Sequence, residues 1–99
     1  MDTLLQGKWG GVREKLASGD VESSLAFFDD STKENYRDLF NALAPALPRI
    51  AQEMSNIRLI EIIKDTAIYD IRTVRKGKEY SFQLRFIRDH NGLWKVRSF

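Results

Sequence analysis

Apolar residues recur at helical spacing along the first half of the chain and at alternate positions along the second. Leu5, Trp9, Val12 and Leu16 stand at i, i+4, i+7 and i+11, the stripe of one amphipathic helix. Gly7, Gly10 and Gly11 interrupt that helix, each weakening it by about 1 kcal/mol relative to alanine. Gly19 suits a left-handed stop, and Asp20 suits the cap of a short second helix with Val21, Leu25 and Phe28 turned inward. Ser31-Thr32-Lys33-Glu34 has the form of a capping box. It predicts a third helix with Tyr36, Leu39, Phe40 and Leu43 on its buried side. Pro45 or Pro48 fits the first turn of a fourth helix, with Ile50, Ala51 and Met54 inward.

From Ile57 the alternation predicts strands over about 57–63, 66–74, 79–88 and 93–99. Turn residues separate them: Lys64-Asp65, Lys76-Gly77 and His90-Asn91-Gly92. Loop lengths fix the parity of the pairing, because a one-residue slip sends every side chain to the other face. A two-residue Lys76-Gly77 turn pairs Thr73 with Tyr80, Ile71 with Phe82, Tyr69 with Leu84 and Ala67 with Phe86. A three-residue loop ending in a left-handed Gly92 pairs Phe86 with Val96 and brings Trp94 to the same face. A two-residue Lys64-Asp65 turn adds Ile60 and Ile62. The expected fold class is therefore α+β, with three to four N-terminal helices packed on a curved four-stranded antiparallel meander, one domain over 1–99.

The same register leaves Leu59, Glu61, Ile68, Asp70, Arg72, Gln83, Arg85, Ile87, Lys95, Arg97 and Phe99 on the opposite face. It sets Arg85 directly against Arg97, with Asp70 as the diagonal partner of Arg85. The chain carries a net charge of +2. Its first 56 residues hold six Lys/Arg against nine Asp/Glu, and the remainder ten against five. The expected sheet is basic and the expected helical layer acidic.

This order of elements, closing on Asn91 to Phe99, resembles the nuclear-transport-factor-like (cystatin-like) superfamily of cone-shaped α+β domains. Gly19 to Phe28, with Trp9 upstream, is similar to the opening helices of that superfamily, and Lys64 to Tyr69 to its first β-hairpin. The resemblance spans nearly the whole chain. It implies either a ligand or catalytic pocket inside the cone or a domain that works by association. The chain is shorter than most such domains, which implies one or two missing strands. It also shows no Asp, His and Tyr set of the kind that enzymatic members place inside the cone.

The candidate chemistry is thin. There is no cysteine, so no disulfide, thiol nucleophile or zinc-finger spacing is available. His90, the single histidine, falls in a hairpin loop beside Asp89, where a solvated turn residue is the simpler reading. Asp29-Asp30 lacks the spacing of a calcium loop and reads as the lead-in to a helix. The glycines at 7, 10 and 11 match no phosphate fingerprint, and close helix packing explains them better. No metal or cofactor is expected. Trp9, Tyr36, Tyr69, Tyr80 and Trp94 are the candidates for a pocket between helices and sheet. Asp38 or Tyr69 would be the acid or base there.

The favoured expectation is a non-catalytic interaction domain that associates through the open sheet face. Leu59, Ile68, Ile87 and Phe99 would supply burial, and Asp70, Arg72, Arg85 and Arg97 the charge. The expected partner is a second copy or another protein domain; the alternative is a small apolar ligand in the aromatic pocket. Nucleic acid is not expected, since little on this face would stack on bases. No apolar run is long enough to span a membrane. Residues 1–20 give no signal peptide, so a cytoplasmic protein and an exported domain parted from its signal both fit. The glycine-weakened first helix suggests a domain taken from a longer chain.

Overall fold

Leu5, Trp9, Val12 and Leu16 all turn inward on the first helix, α1 (Asp2–Ala17), in a computed structural model that describes residues 1–99. Gly19, at φ +78°, ends it in a Schellman turn. The amide of Asp20 donates to Lys15 and that of Gly19 to Leu16. Asp20 then caps α2 (Val21–Leu25) by accepting from the amide of Ser23. Helix α3 (Lys33–Ala42), a 3-10 turn (Ala44–Ala46) and α4 (Leu47–Glu53) complete the helical layer. Pro48 sits in the first turn of α4, where its missing N–H costs no hydrogen bond.

The start of α3 departs from the capping box. The hydroxyl of Ser31 is drawn to the carboxylate of Asp29, and Glu34 pairs instead with Arg37. Arg37 also reaches Glu22 on α2 at 2.9 Å. Its two carboxylate partners hold the guanidinium firmly protonated, Glu22 most strongly. Phe40 is the one fully buried residue of α3; Tyr36 is half-buried, and Leu39 and Leu43 are exposed. On α4, Leu47 joins Ala51 and Met54 in the core, while Ile50 packs at its margin.

Strands β1 (Asn56–Ile63), β2 (Thr66–Arg75), β3 (Lys78–Arg88) and β4 (Trp94–Ser98) form one antiparallel sheet in sequence order. The central register is the expected one. Thr73 faces Tyr80, Ile71 faces Phe82, Tyr69 faces Leu84 and Ala67 faces Phe86, and Phe86 faces Val96. Lys76 and Gly77 both adopt positive φ, as a two-residue type I′ hairpin requires, and Gly92 closes the last loop at φ +77°. The carboxylate of Asp89 orders that loop by accepting from the amides of Asn91 and Leu93. These bonds, Leu93 foremost, hold its carboxyl below the usual range.

Both outer strands carry a bulge, and each bulge corrects the expected register. In β1, Leu59 faces Tyr69 and Glu61 faces Ile68, so Ile60 is the extra residue. Leu59 therefore packs on the core side, and Ile60 is turned out. In β4, Arg85 faces Ser98 rather than Arg97, and Arg97 is the extra residue. Phe99 follows the shift inward. Its ring lies 5.1 Å from those of Trp9 and Tyr36 and also meets Phe28 and Phe40.

One core of 19 buried apolar residues joins the helices to the sheet. The folded chain exposes 6067 Å², close to the roughly 5,800 Å² typical of a domain of this mass. Polar side chains of α1 tie it to α4 and to the sheet. Trp9 Nε1 donates to the carbonyl of Met54 at 2.8 Å, and Arg13 Nε to that of Ala51 at 2.7 Å. These carbonyls belong to the last turn of α4 and have no partner within it. Gln6 donates to Ile57 at the start of β1. Of the α1 glycines only Gly11 is packed close: a Cβ there would lie 2.5 Å from Phe27 Cζ. Gly7 and Gly10 have nothing within 4 Å of that position.

Candidate functional site

The face of the sheet turned away from the helices is built by alternation along four paired strands. At one end Ile63, Thr66, Ile87 and Lys95 run across it, followed by Glu61, Ile68, Arg85 and Ser98. Beyond them lie Arg58, Asp70 and Gln83, then Asn56, Arg72 and Ser81. Ile60, pushed out by its bulge, lines a shallow cleft with Ile68, Asp70 and Gln83. Ile60 and Ile63 are 54% and 49% exposed, and Ile68 and Ile87 are half-buried. Four isoleucines thus lie toward the Lys64-Asp65 end of this face, spread over β1, β2 and β3.

The charges are mostly consumed within the fold. Asp70 accepts from the hydroxyl of Ser81 and from Arg72 at 2.9 Å. Its carboxyl is held below the usual range, first by Ser81 and then by Arg72. Arg72 also meets Glu79 at 3.2 Å. Arg97, swung round the sheet edge by its bulge, bonds Asp29 at 3.2 Å and the hydroxyl of Ser31. Ser31 and Arg97 together lower the carboxyl of Asp29, Ser31 foremost. Lys95 donates to the carbonyl of Ala26. Arg85 reaches only its neighbour Gln83, at 3.0 Å, and meets no carboxylate; Arg58 and Glu61 form no ion pair.

Of the residues expected on this face, Ile68, Asp70, Arg72, Arg85 and Ile87 lie there together. Arg97 lies at its margin. Leu59 and Phe99 do not lie there, because the two bulges turn them into the core. The expected Arg85–Asp70 pair is absent, since Asp70 is taken by Arg72 and Ser81. Ile60 and Ile63 were missed as members of the face. The run Leu59-Ile60-Glu61-Ile62-Ile63 did hold a signal: adjacent apolar residues cannot all point one way in a regular strand.

The pocket candidates are dispersed. Trp9 and Tyr69 are enclosed in the core, and Trp94 lies beneath Arg88 at 5.8 Å. The hydroxyl of Tyr69 donates to Asp2, and burial together with that carboxylate pushes the phenol well above its ordinary range. Tyr36 stacks on Phe99 and accepts from the Phe99 amide at 2.9 Å. Tyr80 is out on the open part of β3, 42% exposed. Asp38 sits on the exposed side of α3, and His90 is exposed in its loop. No three of the histidine and carboxylate side chains gather as a metal site would require. No helix is long and apolar enough to cross a membrane. Comparison of the chain with protein-family models, curated proteins and solved structures finds no match to any of them.

Proposed function

We propose that this domain works by association, offering the open face of its sheet to an apolar, acid-bearing surface of another protein. The observation that carries the reading is the grouping of Ile60, Ile63, Ile68 and Ile87 on the side away from the helices. Apolar side chains there gain nothing from the core, and burying them against a partner would. Arg85 beside them has no acid partner and favours a carboxylate-bearing surface over a basic one. The helices-then-meander order supports a nuclear-transport-factor-like frame, within which association is one established use.

The test is quantitative co-purification from cells, comparing the wild-type chain with Ile63→Lys, Arg85→Glu and, as a control remote from the sheet, Leu4→Lys. Partners lost with the first two changes and kept with the third support the reading. A partner set identical across all four proteins sinks it.

A further inference from the structure

The sheet has three stretches of outer edge, and two of them are closed to further pairing. The edge of β1 is broken by the bulge at Ile60 and flanked by Arg58 and Glu61, features that discourage strand addition. The outer edge of β4 is covered by the segment after α2. The amide of Asp29 donates to Val96 at 2.8 Å, and the amide of Val96 to Phe27 at 2.7 Å. The third stretch is the first half of β3. Strand β4 pairs with β3 only from Arg85 onward, so Lys78 to Leu84 has β2 on one side and no strand on the other. Its ladder with β2 is regular over its whole length, with no bulge to twist it away. Tyr80 and Phe82, 42% and 49% exposed, stand on it with their rings on the helical side of the sheet.

We propose that this edge pairs antiparallel with the same segment of a second copy, joining two four-stranded sheets into one of eight strands. A two-fold axis normal to the sheet preserves its faces, so only even registers are allowed. Centring the axis on Ser81 sets Tyr80 of each copy against Phe82 of the other, giving two cross-strand aromatic pairs. Glu79, which meets Arg72 of its own chain through one oxygen and is otherwise exposed, then lies opposite Gln83 and one diagonal from Arg85 of the second copy. Arg85 is the arginine of this region without a carboxylate in its own chain, and the axis supplies the contact twice. Self-pairing is favoured over capture of an unrelated strand by this charge match, which depends on the chain's own register. A pairing of seven residues is short, and the dimer it makes is weak and concentration-dependent. Arg85 borders both this edge and the isoleucine face, so Phe82→Lys and Ile63→Lys are the changes that tell the two surfaces apart.

The test is sedimentation velocity on the intact chain from roughly 10 μM to 1 mM, a span covering weak dimers. Wild type should shift from monomer toward dimer across it. Phe82→Lys, at a half-exposed site, should remain folded by circular dichroism and monomeric throughout. Glu79→Arg and Arg85→Glu should each weaken the dimer roughly 2- to 30-fold, since two equivalent cross-strand contacts are lost. The chain carrying both changes should regain it. Wild type that stays monomeric over the whole range overturns the proposal. So does a dimer that survives Phe82→Lys, and so do charge reversals whose effects simply add. A dimer lost with Ile63→Lys but kept with Phe82→Lys would assign self-association to the isoleucine face instead. Ile63→Lys that leaves both the dimer and the partner set unchanged would sink the earlier reading while leaving this one standing.

Discussion

The two halves of β3 belong to one strand and one alternation, yet only one of them is built into the protein. From Arg85 to Ile87 the strand lies between β2 and β4, and Phe86 is fully buried there, as is Leu84 at its border. From Lys78 to Leu84 it has β2 alone, and every side chain up to Gln83 is exposed, Tyr80 and Phe82 included. The alternation decides which way a side chain points. What lies over it is decided by segments remote in sequence: α1, the Phe27–Asp29 cover and the short β4. An aromatic that keeps the core parity but receives no cover is a surface feature, and the covered half shows what it costs to leave one bare.

The sharpest way to break this comparison is to truncate one aromatic in each half. Phe86→Ala removes a fully buried ring and should cost about 3–5 kcal/mol, while Phe82→Ala should cost less than about 1 kcal/mol. Urea unfolding with matched slopes measures both. Equal losses would mean that the open half is covered in solution and that the contrast is false.

The same contrast recurs within α1, over a single residue step. Gly11→Ala drives a methyl into the ring of Phe27, and the overpacking should cost about 1–3 kcal/mol. Gly10→Ala meets nothing and should stabilise by up to about 1 kcal/mol through helix propensity alone. Thermal or urea unfolding of the two variants reads the difference. Because the crowded atoms are the far end of a half-exposed ring, a neutral Gly11→Ala would show that the Phe27 side chain swings aside.

At the tip of the open half, Lys76 occupies the left-handed region at φ +52°, an uncommon conformation for a side chain other than asparagine, aspartate or glycine. Lys76→Asn supplies the preferred Asn-Gly pair and should stabilise by about 1 kcal/mol in the same unfolding assay. No gain would show that the hairpin tip is already loose in the native state.

How much of this was legible in the sequence follows from which constraints are local. Two-residue and three-residue loops fix parity, so the β2–β3 and Phe86–Val96 registers could be read from Lys76-Gly77 and Gly92. The Schellman stop at Gly19 and the cap at Asp20 are equally local. The bulge at Ile60 left only the ambiguous run Leu59 to Ile63, and the bulge at Arg97 left no local sign at all. Arg97 is drawn to Asp29 and Ser31, 68 and 66 residues away in sequence, and that attraction carries Phe99 from the open face into the aromatic cluster. The competition that took Ser31 from the start of α3 has the same source. Two of the four apolar residues expected on the association surface lie elsewhere, Phe99 for this reason and Leu59 because of the Ile60 bulge. The charged members Asp70, Arg72 and Arg85 kept their face because β2 and β3 are regular there. The emptiness above Tyr80 and Phe82 had no signal in their own segment.

The smallest expected effect tests whether the open half is ordered against β2 at all. Ser81 lies in that half, and its hydroxyl is the main reason the carboxyl of Asp70 is held below its ordinary value, with Arg72 second. A carboxyl whose folded value is depressed stabilises the fold above the unfolded value, near 3.9, and the contribution drains away as pH falls through the folded value. Wild type should therefore lose stability as pH drops below about 4, and Asp70→Asn should lose less of it over that window. At neutral pH the asparagine variant should be the weaker by a few tenths to about 1 kcal/mol, and the two proteins should converge in acid. Ser81→Ala should reproduce part of the flattening without touching a charge. If Ser81→Ala leaves the acid profile unchanged while Asp70→Asn alters it, Arg72 alone holds the carboxylate. The first half of β3 would then be free of its neighbour as well as of any cover.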